Sequence, residues 1–192
     1  MDDRELRRLM LPELQPSMAA HIDRVVDLAD RLARRHNLDV ARVRLAAQGH
    51  DLLRLVSPSE LLARAEARGM EIDPVERAAP VILHGPLGAL ELEERFGVDD
   101  YDVLEAIRWH TVGHPEFSSE AWAMFIADKT EPSKVERAPT LGGVLDLADE
   151  SLEVAALAYF DLRFDEAIRL SQQQHPISKL TRDALVASCR TS

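Results

Sequence analysis

The segment AAQGHDLLR, residues 46–54, sets His50 beside Asp51 in an apolar stretch. Burying an unpartnered polar group costs roughly 2–7 kcal/mol, and a bare charge costs more. The pair is therefore exposed, hydrogen-bonded within the protein, or bound to a metal. Three further histidines, His21, His84 and His110, fall on or beside the apolar faces of other predicted helices. Asp128 follows Ala121 and Phe125 at helical steps. Singly, each imidazole reads best as a core histidine bonded to a backbone carbonyl. Together, one polynuclear metal centre satisfies all six groups at once, where separate burial needs six independent solutions. Four imidazoles and two carboxylates suit iron, manganese, cobalt or zinc better than magnesium or calcium, which prefer oxygen. Neighbours on a helix diverge by about 100°, so His50 and Asp51 are expected to reach ions lying between their two directions, with Asp51 able to bridge a pair.

The elements that must position these groups read as helices throughout. A helix follows Pro16, with Ser17 as its expected N-cap and Asn37 as a left-handed stop. A second runs from about Asp39 with Val43, Ala46, Ala47 and His50 on one face. Ser57-Pro58-Ser59-Glu60 reads as a capping box whose helix Gly69 closes, and Asp73-Pro74-Val75-Glu76 repeats the pattern. Gly85-Pro86 breaks or restarts the next helix, which Gly97 ends. Asp99 or Asp100 opens a helix through 109–111, the loop VGHPEFSS follows, and EAWAMFIADKT is helical. EPSKVERAPTLGG (131–143) reads as one long linker, with helix again from about Val144 to Gln173 and a polar C-terminal tail. No alternating strand pattern occurs. The expectation is an all-α single domain over 1–192, with its helical core at about 17–173. Of the other histidines, His36 is expected as a cation near a helix C-terminus, His114 in a loop within reach of substrate, and His175 at the surface.

The chain of 192 residues can bury a helical core without metal, so a metal centre here would serve function more than folding. Its formal net charge of −11 argues against nucleic acid and anionic membranes as partners, which need a basic face. A small phosphorylated ligand held by a metal and a few local cations remains compatible. The single cysteine, Cys189, and an opening MDDRELRRLM without an apolar signal core fit a cytoplasmic protein. The apolar run AWAMFIA (121–127) is too short to span a bilayer. No G-x-S-x-G turn, Walker-type phosphate loop or His-Glu-x-x-His occurs, which removes the common serine hydrolases, P-loop enzymes and zincins.

The ordered set His21…His50-Asp51…His84…His110…Asp128 resembles the HD-domain metal-dependent phosphohydrolases. LHGPLGA (83–89), AIRWHTVGHPEFS (106–118) and FIADKTEP (125–132) are similar to the YqeK branch, the symmetrical bis(5′-nucleosyl)-tetraphosphatases that split diadenosine tetraphosphate into two ADP. The resemblance spans roughly residues 17–183 and implies an HD-domain helical bundle holding one or two divalent transition ions, iron foremost. It implies His21, His50, Asp51 and Asp128 as metal ligands, with His84 and His110 facing a second metal or the phosphates. Asp51, Asp128 and Arg54 would carry catalysis, with Asp128 a ligand and a candidate acceptor of the water's proton. Gly85 and Pro86 would shape a phosphate pocket, and Lys134 and His114 would meet substrate, with Lys129 as a further helper. Several positions depart from the family pattern. Arg54 replaces its lysine, His114 its arginine, Lys134 a further arginine, Ala121-Trp122 a Glu-Lys pair, and Ser178-Lys179 a His-Pro pair. The metal set is intact while the outer substrate shell is altered. Two alternatives stand beside the tetraphosphatase reading: an HD-type nucleotidase on another nucleotide, and a non-catalytic metal- or nucleotide-binding sensor. A homodimer is an assembly open to either.

Overall fold

A computed structural model describes residues 1–190. Among these residues there is no strand, and the chain runs through twelve α-helices. In order they are α1 (Asp3–Met10), α2 (Pro16–Arg35), α3 (Val40–Gly49), α4 (Pro58–Ala67), α5 (Pro74–Ala78), α6 (His84–Phe96), α7 (Tyr101–Trp109), α8 (Ser119–Thr130), α9 (Pro132–Arg137), α10 (Thr140–Ala148), α11 (Leu152–Leu170) and α12 (Pro176–Cys189). Short 3₁₀ turns occupy Leu11–Glu13 and Pro80–Leu83. The all-α expectation holds, and no described helix is long and apolar enough to cross a membrane.

The helices start where short polar side chains can accept from the free N–H groups of a first turn. Asp39, Ser57, Asp100, Ser118 and Ser151 each cap a helix in this way, and Asp73 with Glu76 forms a complete capping box. The α2 start differs from expectation: Gln15 is the N-cap and Pro16 the first helical residue, so Ser17 lies inside the helix. Asn37 and Gly97 end their helices in the left-handed region as expected.

Helix α8 organises the rest. Residues 121–128 are buried on every face, the pattern of a helix enclosed by others. It packs against α2, α3, α7, α10 and α11. Trp122 and Phe125 meet Phe160 on α11 with ring centroids 6.5 and 5.7 Å apart. Gly113, at φ +75°, closes the turn after α7 so tightly that a Cβ there would lie 2.6 Å from Phe160 Cζ. Only glycine accepts both that backbone and that contact.

Three stretches differ from the sequence expectation. The 131–143 linker is largely α9 and the start of α10, because Glu131 caps α9 through Ser133 N and Pro132 sits at its first position. That signal matches the ones at 57–60 and 73–76. The expected helix from Val144 is two helices, broken at 149–151 where Ser151 caps α11. The polar tail is α12, with Thr181 and Leu185 buried and α11 as its support. His175, expected at the surface, is buried as the N-cap of α12, where its Nδ1 accepts from Ile177 N. His36 ends α2 as expected, and its Nε2 reaches the Ala148 carbonyl at 2.6 Å.

Candidate metal centre

Three of the four apolar-face histidines stand immediately after a helical element. His50 follows α3, His84 follows the 80–83 turn, and His110 follows α7. At such ends the last carbonyls lack intrahelical partners. Each imidazole uses one: His50 Nδ1 faces Ala47 O at 2.7 Å, His110 Nδ1 faces Ile107 O at 2.7 Å, and His84 Nδ1 bonds to Val81 O. A carbonyl only accepts, so in every case Nδ1 carries the hydrogen and Nε2 keeps a lone pair aimed away from the helix. His21, on α2, is held differently. Its Nδ1 faces the Glu131 carboxylate at 3.5 Å, and Glu131 is itself fixed by Arg24 Nε at 2.7 Å and Ser133 N at 3.1 Å.

The four Nε2 atoms converge on Asp51, and they divide between its two oxygens. His84 and His110 lie 3.0 and 3.5 Å from Oδ1. His21 and His50 lie 3.4 and 3.6 Å from Oδ2, and both lie 3.5 Å from Asp128 Oδ1. His84 Nε2 and His110 Nε2 are 3.0 Å apart. Two nitrogens bound at about 2.1 Å and at right angles to a common ion would be separated by roughly 3.0 Å. The side chains thus form two ligand groups sharing one carboxylate: His21, His50 and Asp51, with Asp128 alongside, and Asp51, His84 and His110. His50 Nε2 is buried and has no hydrogen-bond partner, which suits it to metal ligation. The donor set fits a divalent transition metal.

His50 and Asp51 meet this centre by a different route from the one expected. α3 stops at Gly49, and residues 51–55 form turns, so the pair does not diverge along a continuous helix. The chain bends there and both side chains turn inward. Gly85 also has another role than lining a phosphate pocket. A Cβ at this position would lie 2.7 Å from the Arg108 carbonyl and 3.4 Å from His110 Nδ1. The glycine lets α6 and α7 approach closely enough for His84 and His110 to share one point.

Charge around the centre is distributed to match. Burial works against the Asp51 carboxylate, yet the surrounding imidazoles hold it well below the usual carboxylate range. Asp128 is likewise held low against burial, mainly by Lys129 and Lys134, whose ammonium groups lie 2.7 and 2.6 Å from its oxygens. Burial opposes protonation of His21, but hydrogen bonds to Asp128 and Asp51 outweigh it and raise the group to about 9. Burial pushes His110 down to about 4, against the pull of the Asp51 carboxylate. Despite its own burial, Glu131 is drawn down to about 2 by Arg24 and Ser133, so it stays anionic behind His21.

The centre opens onto a cleft of about 740 Å³. Arg54, Lys129 and Lys134 line it. Arg137, Arg163 and Arg169 line it as well, together with Tyr159, whose phenol burial pushes up to about 12. Tyr159, Arg163, Glu166 and Arg169 recur at steps of three and four, a stripe on α11 that the sequence displays. Arg137 was hidden in the segment read as linker. Glu131 lies in the ADKTEP segment, but nothing in its spacing announces that it backs His21. Gly85, Pro86 and His114 do not line the cleft. His114 instead stacks on Trp109, centroids 5.3 Å apart, and helps line a separate small hollow, because the 111–118 turn carries it back along α7.

The HD domain family model matches residues 18–133. A protein of Halalkalibacterium halodurans named "Bis(5'-nucleosyl)-tetraphosphatase, symmetrical" is 32% identical over 127 residues, covering 66% of this chain and 67% of the relative. The protein of that name from Bacillus subtilis is 29% identical over 167 residues, covering 87% of this chain and 88% of its own length. A crystal structure described as a "predicted HD superfamily hydrolase involved in NAD metabolism" from Clostridium acetobutylicum superposes with a TM-score of 0.88 at 27% identity, over 96% of this chain and 97% of that one. The matched segment contains all six candidate ligand positions, and the chain belongs to the HD domain family.

Proposed function

We propose that this protein is a metal-dependent phosphohydrolase that cleaves diadenosine tetraphosphate symmetrically into two ADP. The observation that carries the reading is the shared carboxylate: Asp51 offers one oxygen to each of two imidazole groups, at the floor of a cleft lined with cations. The names of the curated relatives support the substrate. Iron is the proposed resident metal, with manganese, cobalt or zinc as alternatives, in one or two ions. Such an ion supplies Lewis acidity at the phosphoryl oxygen and a lowered pKa for the attacking water.

The chain's own residues do the remaining work. His21, His50 and Asp128 hold one side of the centre, His84 and His110 the other, and Asp51 joins them. Asp128 remains anionic between Lys129 and Lys134, which suits it to holding a cation better than to taking up a proton. Arg54, Lys134, Arg137 and Arg163 neutralise the tetraphosphate, whose charge the chain's net −11 would otherwise repel. Tyr159, kept neutral, offers its hydroxyl as a donor to a phosphate oxygen.

Elemental analysis of protein purified without added metal, followed by a turnover panel, tests the reading. ADP as sole product from diadenosine tetraphosphate is expected. AMP plus ATP, or turnover confined to nucleoside monophosphates, would overturn it.

A further inference from the structure

Among the described residues, Asp51 lines two hollows: the cationic cleft and a second one of about 210 Å³. Their chemistry is opposite. The cleft carries six Lys and Arg side chains, whereas none lines the second hollow. Its walls are Leu14 and Met18, from the start of α2 and the turn before it, and Leu55 and Val56, from the turn after Asp51. Leu55 is 52% exposed, an apolar side chain left uncovered at the edge of a metal centre. Gln15, which makes no capping hydrogen bond, and Glu13 supply an amide and a carboxylate.

We propose that this hollow is the second nucleoside subsite, taking the base of the half-substrate that does not lie in the cationic cleft. The inference rests on the tetraphosphatase reading and deepens it. Central cleavage of a dinucleoside tetraphosphate places one nucleoside on each side of the reacting phosphate. Two like halves must then leave the centre along different paths. The cationic cleft suits a run of phosphates, while an apolar hollow without a cation suits a flat, uncharged ring. The Gln15 amide offers both a donor and an acceptor, the pattern that pairs with adenine's amino group and ring nitrogen. A chemically symmetrical substrate is therefore bound in two unlike subsites.

The test uses full-length, metal-loaded protein and two variants at the exposed Leu55. Leu55→Glu is expected to raise KM for diadenosine tetraphosphate about tenfold while changing kcat little, with metal content unchanged. Leu55→Phe, which keeps an apolar wall, is expected to restore the wild-type KM. Calorimetry with ADP is expected to show two molecules per wild-type chain and one per Leu55→Glu chain. Unaltered KM and two bound ADP in Leu55→Glu would overturn the subsite while leaving the hydrolase intact. A wild-type protein that binds no ADP and does not turn over diadenosine tetraphosphate would instead sink the functional reading, and the subsite with it.

Discussion

The imidazole cage and the cationic wall facing it are fixed by different means. In the cage, three imidazoles are each tied to a carbonyl three residues earlier in the chain, so ring orientation is settled within a single helix end. In the wall, Arg137 reaches the Ser133 carbonyl and Arg163 pairs with Glu166, but both residues remain exposed. The cage is held by backbone carbonyls, and the wall only by contacts of exposed side chains. Binding a metal requires the first property, because ligand atoms must sit within a few tenths of an ångström of their places. Gathering a flexible polyphosphate tolerates the second. Metal retention and substrate choice are accordingly separable by mutation.

The largest expected effect breaks the cage at its shared point. Asp51→Ala should empty both ligand groups and lower turnover on the order of 10³-fold, with helical content by circular dichroism retained. A variant keeping full metal content would contradict the bridging role. Gly85→Ala should act on one group only: its Cβ meets a backbone carbonyl that cannot give way, so α6 is pushed from α7 and His84 from His110. Elemental analysis should then show reduced metal content, with a stability cost of about 1–3 kcal/mol. Glu131→Ala should weaken metal affinity by about 10- to 100-fold through loss of the group that orients His21, measured by competition with a chelator. Arg163→Ala should leave metal content untouched and raise KM by about tenfold, an effect that fades as salt is added. If Arg163→Ala instead strips metal, cage and wall are not independent.

Legibility in the sequence follows the same division. The six cage residues were readable because polar groups at helical spacing within apolar faces have few explanations, and a common centre is the most economical. Helix starts at 57–60, 73–76 and Asp100 were readable from short-range capping chemistry. Glu131-Pro132 and His175-Pro176 carry the same start signal, and reading them as linker and tail concealed α9, α12 and with them Arg137. The pairing of imidazoles with the two oxygens of Asp51 was not readable at all. It depends on α3 ending at Gly49 and on the close approach of α6 and α7, which are tertiary facts. Gly85 shows the limit clearly. Sequence context marks it as special, but only its distance from the Arg108 carbonyl says that its task is steric.

Two of the candidate metal-binding histidines occupy the residue directly after a true α-helix, His50 after α3 and His110 after α7. Aligned peptide dipoles leave roughly half an elementary negative charge at such a terminus. The backbone thus places two partial anions beside the metal centre, independent of any titratable group. Neutralising Asp128, which is not the shared carboxylate, would weaken the pull on a cation without abolishing it, since part of that pull belongs to the position where two helices stop.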